Sequence, residues 1–483
     1  MIVSKAITPS WSSDRSGATG TGAGRRDNGT VTPASPSSSL VDQVPTAEPY
    51  RLRAPSAEQL RRRTTRTLRV LRRRLGPVAL ERARRRPIDL ARPLRKTFAD
   101  LGACYVKFGQ LVASAPSVFG AEVSDEFRSL LDRGRPVPFA RVRAEVERAT
   151  GRPIDADFAE FDPEPIGRAS VAVVHRARLH DGRQVAVKVL RPGIEGKVAA
   201  DLTLMSWLVP RLAARVADAH PDGVRPMLSG LRGQLCEELD LRNEGRLMDH
   251  FHRVLGEIDL PLVAIPRTYP DLSGRRVLVM EYLDGVPIDD LESIEALGVD
   301  PEPLVSEIVK AFFLTAVRYG VVHADVHAGN LLLLRDGRIG ILDWGIVGRL
   351  DAENVEHLRN VIRAALGDDA AWARVVGRII DEIGPALTYR LGIPPEDLPA
   401  FIRGMLEPIL TRPFGEVSLS TMLTGPAELA GDHVPVGDAP EMDPDAFDRD
   451  MFLLSKQLLF FERYGQLYLA HLSLLSDREF FAA

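Results

Sequence analysis

The sequence predicts an α+β chain of two lobes, a small sheet-containing one followed by a larger helical one, with a helical extension ahead of both. Three observations carry this. β-Branched runs cluster between Phe161 and Leu190 and return at Val277–Tyr282. After Val286 the patterning is helical apart from one hairpin, Leu331–Leu334 and Ile339–Leu342 around Asp336-Gly337. Chemistry-bearing residues follow in a fixed order: a lysine on a strand, acids on helices, then His323-Ala324-Asp325-Val326-His327-Ala328-Gly329-Asn330 and Asp343-Trp344-Gly345 at the two ends of that hairpin.

Taken in chain order, residues 1–54 form a tail. Of the first 50 positions, 25 are Gly, Ser, Thr or Pro, a composition that cannot bury a core and reads as disordered. Residues 55–150 form the helical extension. Its first part, 55–96, holds 15 Lys or Arg against 3 Asp or Glu, with Arg61-Arg62-Arg63, Arg72-Arg73-Arg74 and Arg84-Arg85-Arg86 alternating with aliphatic residues. Pro77, Pro87 and Pro93 are expected to break it into short pieces. Such charge suits an anionic membrane surface; nucleic-acid binding is the weakest reading of it. From Phe98 to about Thr150 the pattern is helical.

The small lobe spans 151–285, with strands Val171–Ala177 and Gln184–Leu190 around His180-Asp181-Gly182-Arg183, helices over Val198–Ala214 and Gly223–Val254, and a strand at Val277–Tyr282. The large lobe spans 286–483 and ends in an amphipathic helix over Leu453–Leu475. The two cysteines, Cys104 and Cys236, lie in helix-like segments and read as buried free thiols. No apolar run is long enough for a membrane span, and Met1–Ser10 lacks a secretory core, so the expected location is cytoplasmic and peripheral to the membrane.

The spacing of the acidic motifs has a chemical reason. Asp325 would hold or deprotonate an attacking hydroxyl, while Asn330 and Asp343 would hold the metal ions that bridge ATP phosphates. These are the acidic parts of a kinase phosphotransfer site, and the hairpin returns Asp343 to Asn330. Upstream, Lys188 in Val-Ala-Val-Lys is the cation for the α- and β-phosphates, and it needs an orienting acid on a nearby helix. Glu237, Glu238, Asp240 and Glu244 crowd the expected place, with Asp240 and Glu244 expected on one helical face. Met280-Glu281-Tyr282-Leu283 fits the hinge between lobes, where the backbone of Glu281 and Leu283 would bind adenine. Pro165-Ile166-Gly167-Arg168-Ala169-Ser170 stands where a nucleotide-covering loop belongs, with Gly167 as its one glycine. His323 is expected to pack under the catalytic loop, and His327 to be structural rather than a substrate contact. The constellation calls for a protein-kinase-like fold with ATP or ADP and Mg2+.

Over roughly residues 95–480 the chain resembles the UbiB/AarF/ADCK family of atypical kinases. Lys107-Phe108-Gly109-Gln110 matches that family's Lys-x-Gly-Gln signature, and Pro165-Ile166 through Ala169-Ser170 to His175 its Ala-rich loop. Glu238-Leu239-Asp240 matches its Glu-x-Asp signature, and Glu244 its helix-C glutamate. The resemblance implies that Lys188 pairs with Glu244. It also implies that Lys107 reaches towards Glu238 and Asp240, so that the extension bearing Lys107 and Gln110 covers the cleft where a protein substrate would bind and restrains the site. It further implies a lipid or quinone precursor as substrate and quinone-biosynthesis enzymes as partners. The chain departs from the pattern where Gly167 and Arg168 break the alanine run, where Val173 replaces a common Gln, and where Trp344 replaces Phe. Two rivals share parts of the pattern: a small-molecule phosphotransferase of the aminoglycoside or choline kinase kind, and a nucleotide-dependent scaffold without turnover.

Overall fold

The computed structural model describes residues 45, 50–83, 90–113, 121–128, 130, 136–213, 221–258, 260–323, 326, 328–345, 347–416 and 449–473. The disorder expected for residues 1–44 and the roles given to Asp325 and His327 lie outside these. Tyr50 already belongs to the fold: its amide donates to the Cys236 carbonyl at 2.8 Å and its ring lies 4.7 Å beneath Arg275. The docked chain therefore starts ahead of the expected boundary at 54.

Among the described residues, the extension holds α1 (Ala57–Ala83), α2 (Ala91–Leu101), α3 (Ala103–Ala113) and α4 (Ala121–Arg128). Phe98 meets Tyr105 and Phe127 edge-to-face at 5.7 and 5.1 Å, which ties α2, α3 and α4 into one apolar knot. The expected break at Pro77 does not occur, because α1 runs 27 residues through it. Proline inside a helix costs about 3 kcal/mol, and packing of Val70, Leu71 and Leu75 on the core offsets this locally unfavourable residue. Pro93 sits in the first turn of α2, where no amide partner is lost, and Pro87 lies outside the described residues.

The small lobe starts ahead of the expected boundary at 151, because α5 (Phe139–Thr150) packs on its sheet; α6 (Ile154–Asp157), β1 (Phe158–Arg168), β2 (Ala172–Leu179), β3 (Gln184–Leu190), α7 (Ile194–Ala213), α8 (Pro221–Glu238), α9 (Leu241–Ile258), β4 (Val263–Ala264) and β5 (Val277–Glu281) follow. Its sheet has the order β1-β2-β3-β5, with every pair antiparallel. The two-residue period of β3 sorts its side chains. Val185, Val187 and Val189 join Val142 and Val146 of α5 in one core, while Ala186 and Leu190 join the larger core on the opposite face. Lys188 shares that second face, which turns it inward. The single helix expected over Gly223–Val254 is two, broken at Leu239-Asp240. There Asp240 caps α9, its carboxylate accepting from the Arg242 amide at 3.2 Å. Asp240 therefore precedes the helix that carries Glu244 instead of sharing a face with it.

The large lobe holds β6 (Gly285–Pro287), α10 (Leu291–Leu297), α11 (Pro301–Tyr319), β7 (Val321–His323), β8 (Leu331–Leu334), β9 (Ile339–Ile341), β10 (Val347–Arg349), α12 (Ala352–Ala365), α13 (Asp369–Leu391), α14 (Leu398–Thr411) and α15 (Arg449–Tyr468). A second sheet has the order β4-β9-β8-β6, and β7 pairs with β10. Because β4 lies beside β9, the connection from α9 to β5 is a second crossing between lobes, next to the hinge. Helix α11 is the lobe's axis. Asp300 caps its start before Pro301, Gly320 at φ 63° ends it, and its Phe312 packs against Phe461 of α15. Cys104 and Cys236 are buried free thiols. Among the described residues no helix is long and apolar enough to cross a membrane.

Candidate functional site

Lys188 is the centre of the site. Its Nζ donates to Glu244 Oε1 at 2.6 Å and to Asp343 Oδ2 at 2.8 Å, so one cation is shared by a helix of the small lobe and a loop of the large lobe. Helix α9 places Glu244 in an apolar stripe with Leu241, Met248, Phe251 and Leu255, which is why this carboxyl is buried. Burial, and after it the negative charge of Asp343, pushes Glu244 up to about 7 against the pull of Lys188. Burial alone would lower the Lys188 pKa, but Asp343 and Glu244 together raise it, so the ammonium is held charged.

The hairpin of β8 and β9 sets the acidic loop. Leu342 N donates to the Asn330 carbonyl at 2.9 Å, which closes the hairpin base and places Asn330 beside the Asp343 segment. Asp343 is fixed on both sides: Gly345 N donates to its Oδ1 at 2.8 Å, and His323 Nε2 lies 2.7 Å from its backbone oxygen. A Cβ at Gly345 would come within 3.0 Å of that same Oδ1, so glycine keeps the carboxylate in place. Trp344 points away from the cleft. It stacks on Phe251 of α9 at 4.3 Å, meets His323 edge-on at 4.6 Å, and donates from Nε1 to the Ile341 carbonyl at 3.3 Å. The Trp344–Phe251 stack couples the loop of Asp343 to the helix of Glu244.

The expected nucleotide loop is mostly strand. Pro165, Gly167 and Arg168 pair with His175, Val174 and Val173 in the β1–β2 hairpin, which leaves Ala169, Ser170 and Val171 as the turn. Ile166 points to solvent and Ser170 is buried. Gly167 lacks a left-handed backbone, and a Cβ there would meet Val174 at an ordinary 3.5 Å, so neither conformation nor space requires glycine. Sequence reasoning missed Arg191, one residue past β3. Its Nε donates to the Ala169 carbonyl at 3.0 Å and its amide to the Val171 carbonyl at 2.8 Å. The Ala169–Val171 turn is thus clamped from the end of the strand that bears Lys188. At the hinge, the Glu281 amide is committed to the Arg267 carbonyl at 2.8 Å. No backbone bond engages the amide or carbonyl of Leu283 among the described residues.

From the extension, Lys107 on α3 pairs with Glu238 at the end of α8, and Gln234 Nε2 donates to the same Glu238 oxygen at 2.9 Å. The carboxylate of Asp240 is held instead by the Arg242 guanidinium at 2.6 and 2.9 Å. Gln110 is exposed. Gly109 has a packing reason, since a Cβ there would come within 2.3 Å of Leu130 Cδ2 and 3.0 Å of Phe127. The structure thus brings together Lys188, Glu244, Asp343 and Asn330, pairs Lys107 with Glu238, and directs Asp240 elsewhere.

A model of the ABC1 atypical kinase-like domain matches residues 129–375. The chain is 35% identical over 404 residues to an uncharacterised chloroplastic aarF domain-containing protein kinase of Arabidopsis thaliana, covering 80% of this chain and 73% of that protein. It is 33% identical over 400 residues to an uncharacterised protein of Mycobacterium tuberculosis, covering 80% and 76%. It is also 33% identical over 347 residues to a probable protein kinase UbiB of Xylella fastidiosa, where it spans 59% of the relative's length.

Proposed function

The chain belongs to the ABC1 atypical kinase-like family, and from that premise we propose that it is an atypical kinase or ATPase that binds adenine nucleotide with Mg2+. The observation that carries this reading is the sharing of Lys188 between Glu244 and Asp343. A buried cation so placed, bridging an acid of each lobe, is suited to contact phosphate. Asn330 and Asp343 offer a carbonyl and a carboxylate, the hard oxygen donors that suit Mg2+. Bound there with the nucleotide, the metal would neutralise charge on the phosphates. Glu244 orients the ammonium from beneath, Leu283 supplies an open amide and carbonyl for adenine, and Arg191 holds the Ala169–Val171 turn over the phosphates. Asp325 is assigned the acceptor hydroxyl.

The acceptor is proposed to be a lipid or quinone precursor, met at the membrane surface and within reach of quinone-biosynthesis enzymes. Support comes from α1, whose exposed side carries Arg61, Arg69, Arg72 and Arg73. The relatives named as UbiB and aarF kinases support the phosphotransfer class.

The deciding experiment is a thermal shift with Mg-ATP. Wild type is expected to gain several degrees and Asp343→Asn to gain none, each measured against its own unliganded melting temperature. An equal gain in both proteins would remove Asp343 from the metal site and with it this reading.

A further inference from the structure

Outside the cleft, a cavity of about 400 Å³ lies between the two crossings that join the lobes, the hinge at Leu283 and the connection through Val263 to Tyr269. Two turns of identical sequence face it, one from each lobe: Asp181-Gly182-Arg183 between β2 and β3, and Asp336-Gly337-Arg338 between β8 and β9. They are built alike. Each glycine has a left-handed backbone, φ 89° at Gly182 and 82° at Gly337. Each aspartate accepts from its arginine's amide, at 3.1 Å for Arg183 and 3.2 Å for Arg338, and from its Nε, at 2.8 and 3.0 Å. Two guanidinium groups are thereby preoriented at the same cavity from opposite lobes. Tyr269 supports Arg183, whose guanidinium lies 4.9 Å from the ring. Arg267 and His252 complete the basic lining, and among the described residues the Arg267 side chain makes no ion pair.

We propose that this cavity binds a small phosphate-bearing metabolite that bridges Arg183 and Arg267 of the small lobe to Arg338 of the large lobe. A guanidinium carries five donors; each aspartate takes the Nε and Nη2 edge of its arginine, which leaves the Nη1 donors for a second anion. Glu281, also on the cavity wall, would accept from hydroxyl or amino groups on the rest of the ligand. Asp181, Asp336 and Glu281 balance the three arginines in charge. Selection therefore rests on the paired placement of the two guanidinium groups across the cavity, and the binding expected is weak. A ligand held across both crossings would favour one angle between the lobes, and so would act on the phosphotransfer cleft from behind.

The test does not depend on nucleotide binding. The full chain carrying Asp343→Asn, which disables the proposed metal site, is melted against increasing inorganic phosphate, with sodium chloride at equal ionic strength as control. A saturable rise of about 2 °C at ten times the dissociation constant is expected for phosphate, and none for chloride. Adding Arg338→Ala or Arg267→Ala should abolish the rise, and the two together should do no more than either alone. Arg51→Ala, an exposed arginine away from the cavity, should leave it intact. Equal shifts with phosphate and chloride, or a phosphate shift that survives both cavity variants, would overturn the proposal.

Discussion

Glu244 is where a single residue has the clearest measurable consequence. Its carboxyl is raised from 4.5 to about 7 by burial and by Asp343. A carboxyl raised on folding binds its proton more tightly in the folded chain. Its contribution to stability is therefore complete below its ordinary value and is lost as pH climbs through about 7. Glu244→Gln removes this titration while keeping an acceptor for Lys188. The difference in melting temperature between variant and wild type should move in the variant's favour from pH 5 to pH 8; a difference that stays constant over that range would show that Glu244 is not the titrating group. Lys188 and Asp343 were readable in the sequence because phosphotransfer demands those residue types in that order. Arg191 was not, since it acts through the backbone carbonyls of Ala169 and Val171. Phe251 was equally hidden, because its partner Trp344 comes from a distant loop. Asp240 was misplaced for a related reason: a helical period looks the same on either side of a break, and an aspartate that caps a new helix reads equally well as one more acid on a continuous helix.

Among the elements, α1 departed furthest from expectation. Proline's local penalty suggested short pieces, but the helix is anchored by a contact that no local rule could reveal. Arg63 is buried and donates through Nε and Nη2 to the fully buried Asp201 of α7, with a further bond from Nη2 to the Leu101 carbonyl at 2.6 Å. In the sequence Arg63 is one of three consecutive arginines, and only its position on the helix face distinguishes it from its exposed neighbours. Burial pushes Asp201 up despite Arg63 and Lys197, as expected of a carboxylate enclosed on every side. Removing one partner leaves the other charged and buried, which typically costs about 3–5 kcal/mol. Arg63→Ala should therefore lower stability by about that amount in denaturant unfolding and open α1 to trypsin, whereas Arg63→Met with Asp201→Leu should recover most of the loss. If Arg63→Ala unfolds like wild type, the pair does not hold the helix. The strands were easier to read, since the β-branched runs of β2, β3 and β5 follow the two-residue period that the sheet imposes.

For the molecule as a whole, the excess of basic residues predicted for the extension becomes a surface with a direction. Gln59 lies against Gly196 and Arg63 pairs with Asp201, so α1 and α7 run side by side in the same sense. Their solvent sides carry the arginines of α1 together with exposed Leu68 and Trp207. If this face meets an anionic bilayer, as proposed, changing Arg61, Arg69, Arg72 and Arg73 to Glu should lower pelleting with anionic vesicles more than tenfold, at roughly 1 kcal/mol for each basic residue near the surface. Neutral vesicles should pellet neither protein, and equal pelleting of both by anionic vesicles would rule the face out. The two-lobed plan was legible because its strands and motifs alternate in a fixed order. The seating of α1 on α7 was not, because it rests on a pair far apart in the chain, Arg63 with Asp201, whereas the Lys107 contact with Glu238 was expected from the family signatures.

The separation of 138 residues between Arg63 and Asp201 also has a consequence in time. At 5–20 residues per second, synthesis brings out α1 roughly 7 to 28 seconds before its counter-ion. Throughout that interval the most cationic stretch of the chain is outside the ribosome with its anchoring arginine undocked, beside the polyanionic ribosomal surface. Completion of α7 ends this exposure by drawing Arg63 inward, so docking of the extension follows the making of α7 and cannot precede it. Chains stalled shortly before Asp201 should be cut by trypsin within 57–83, while chains long enough to have released all of α7 should resist.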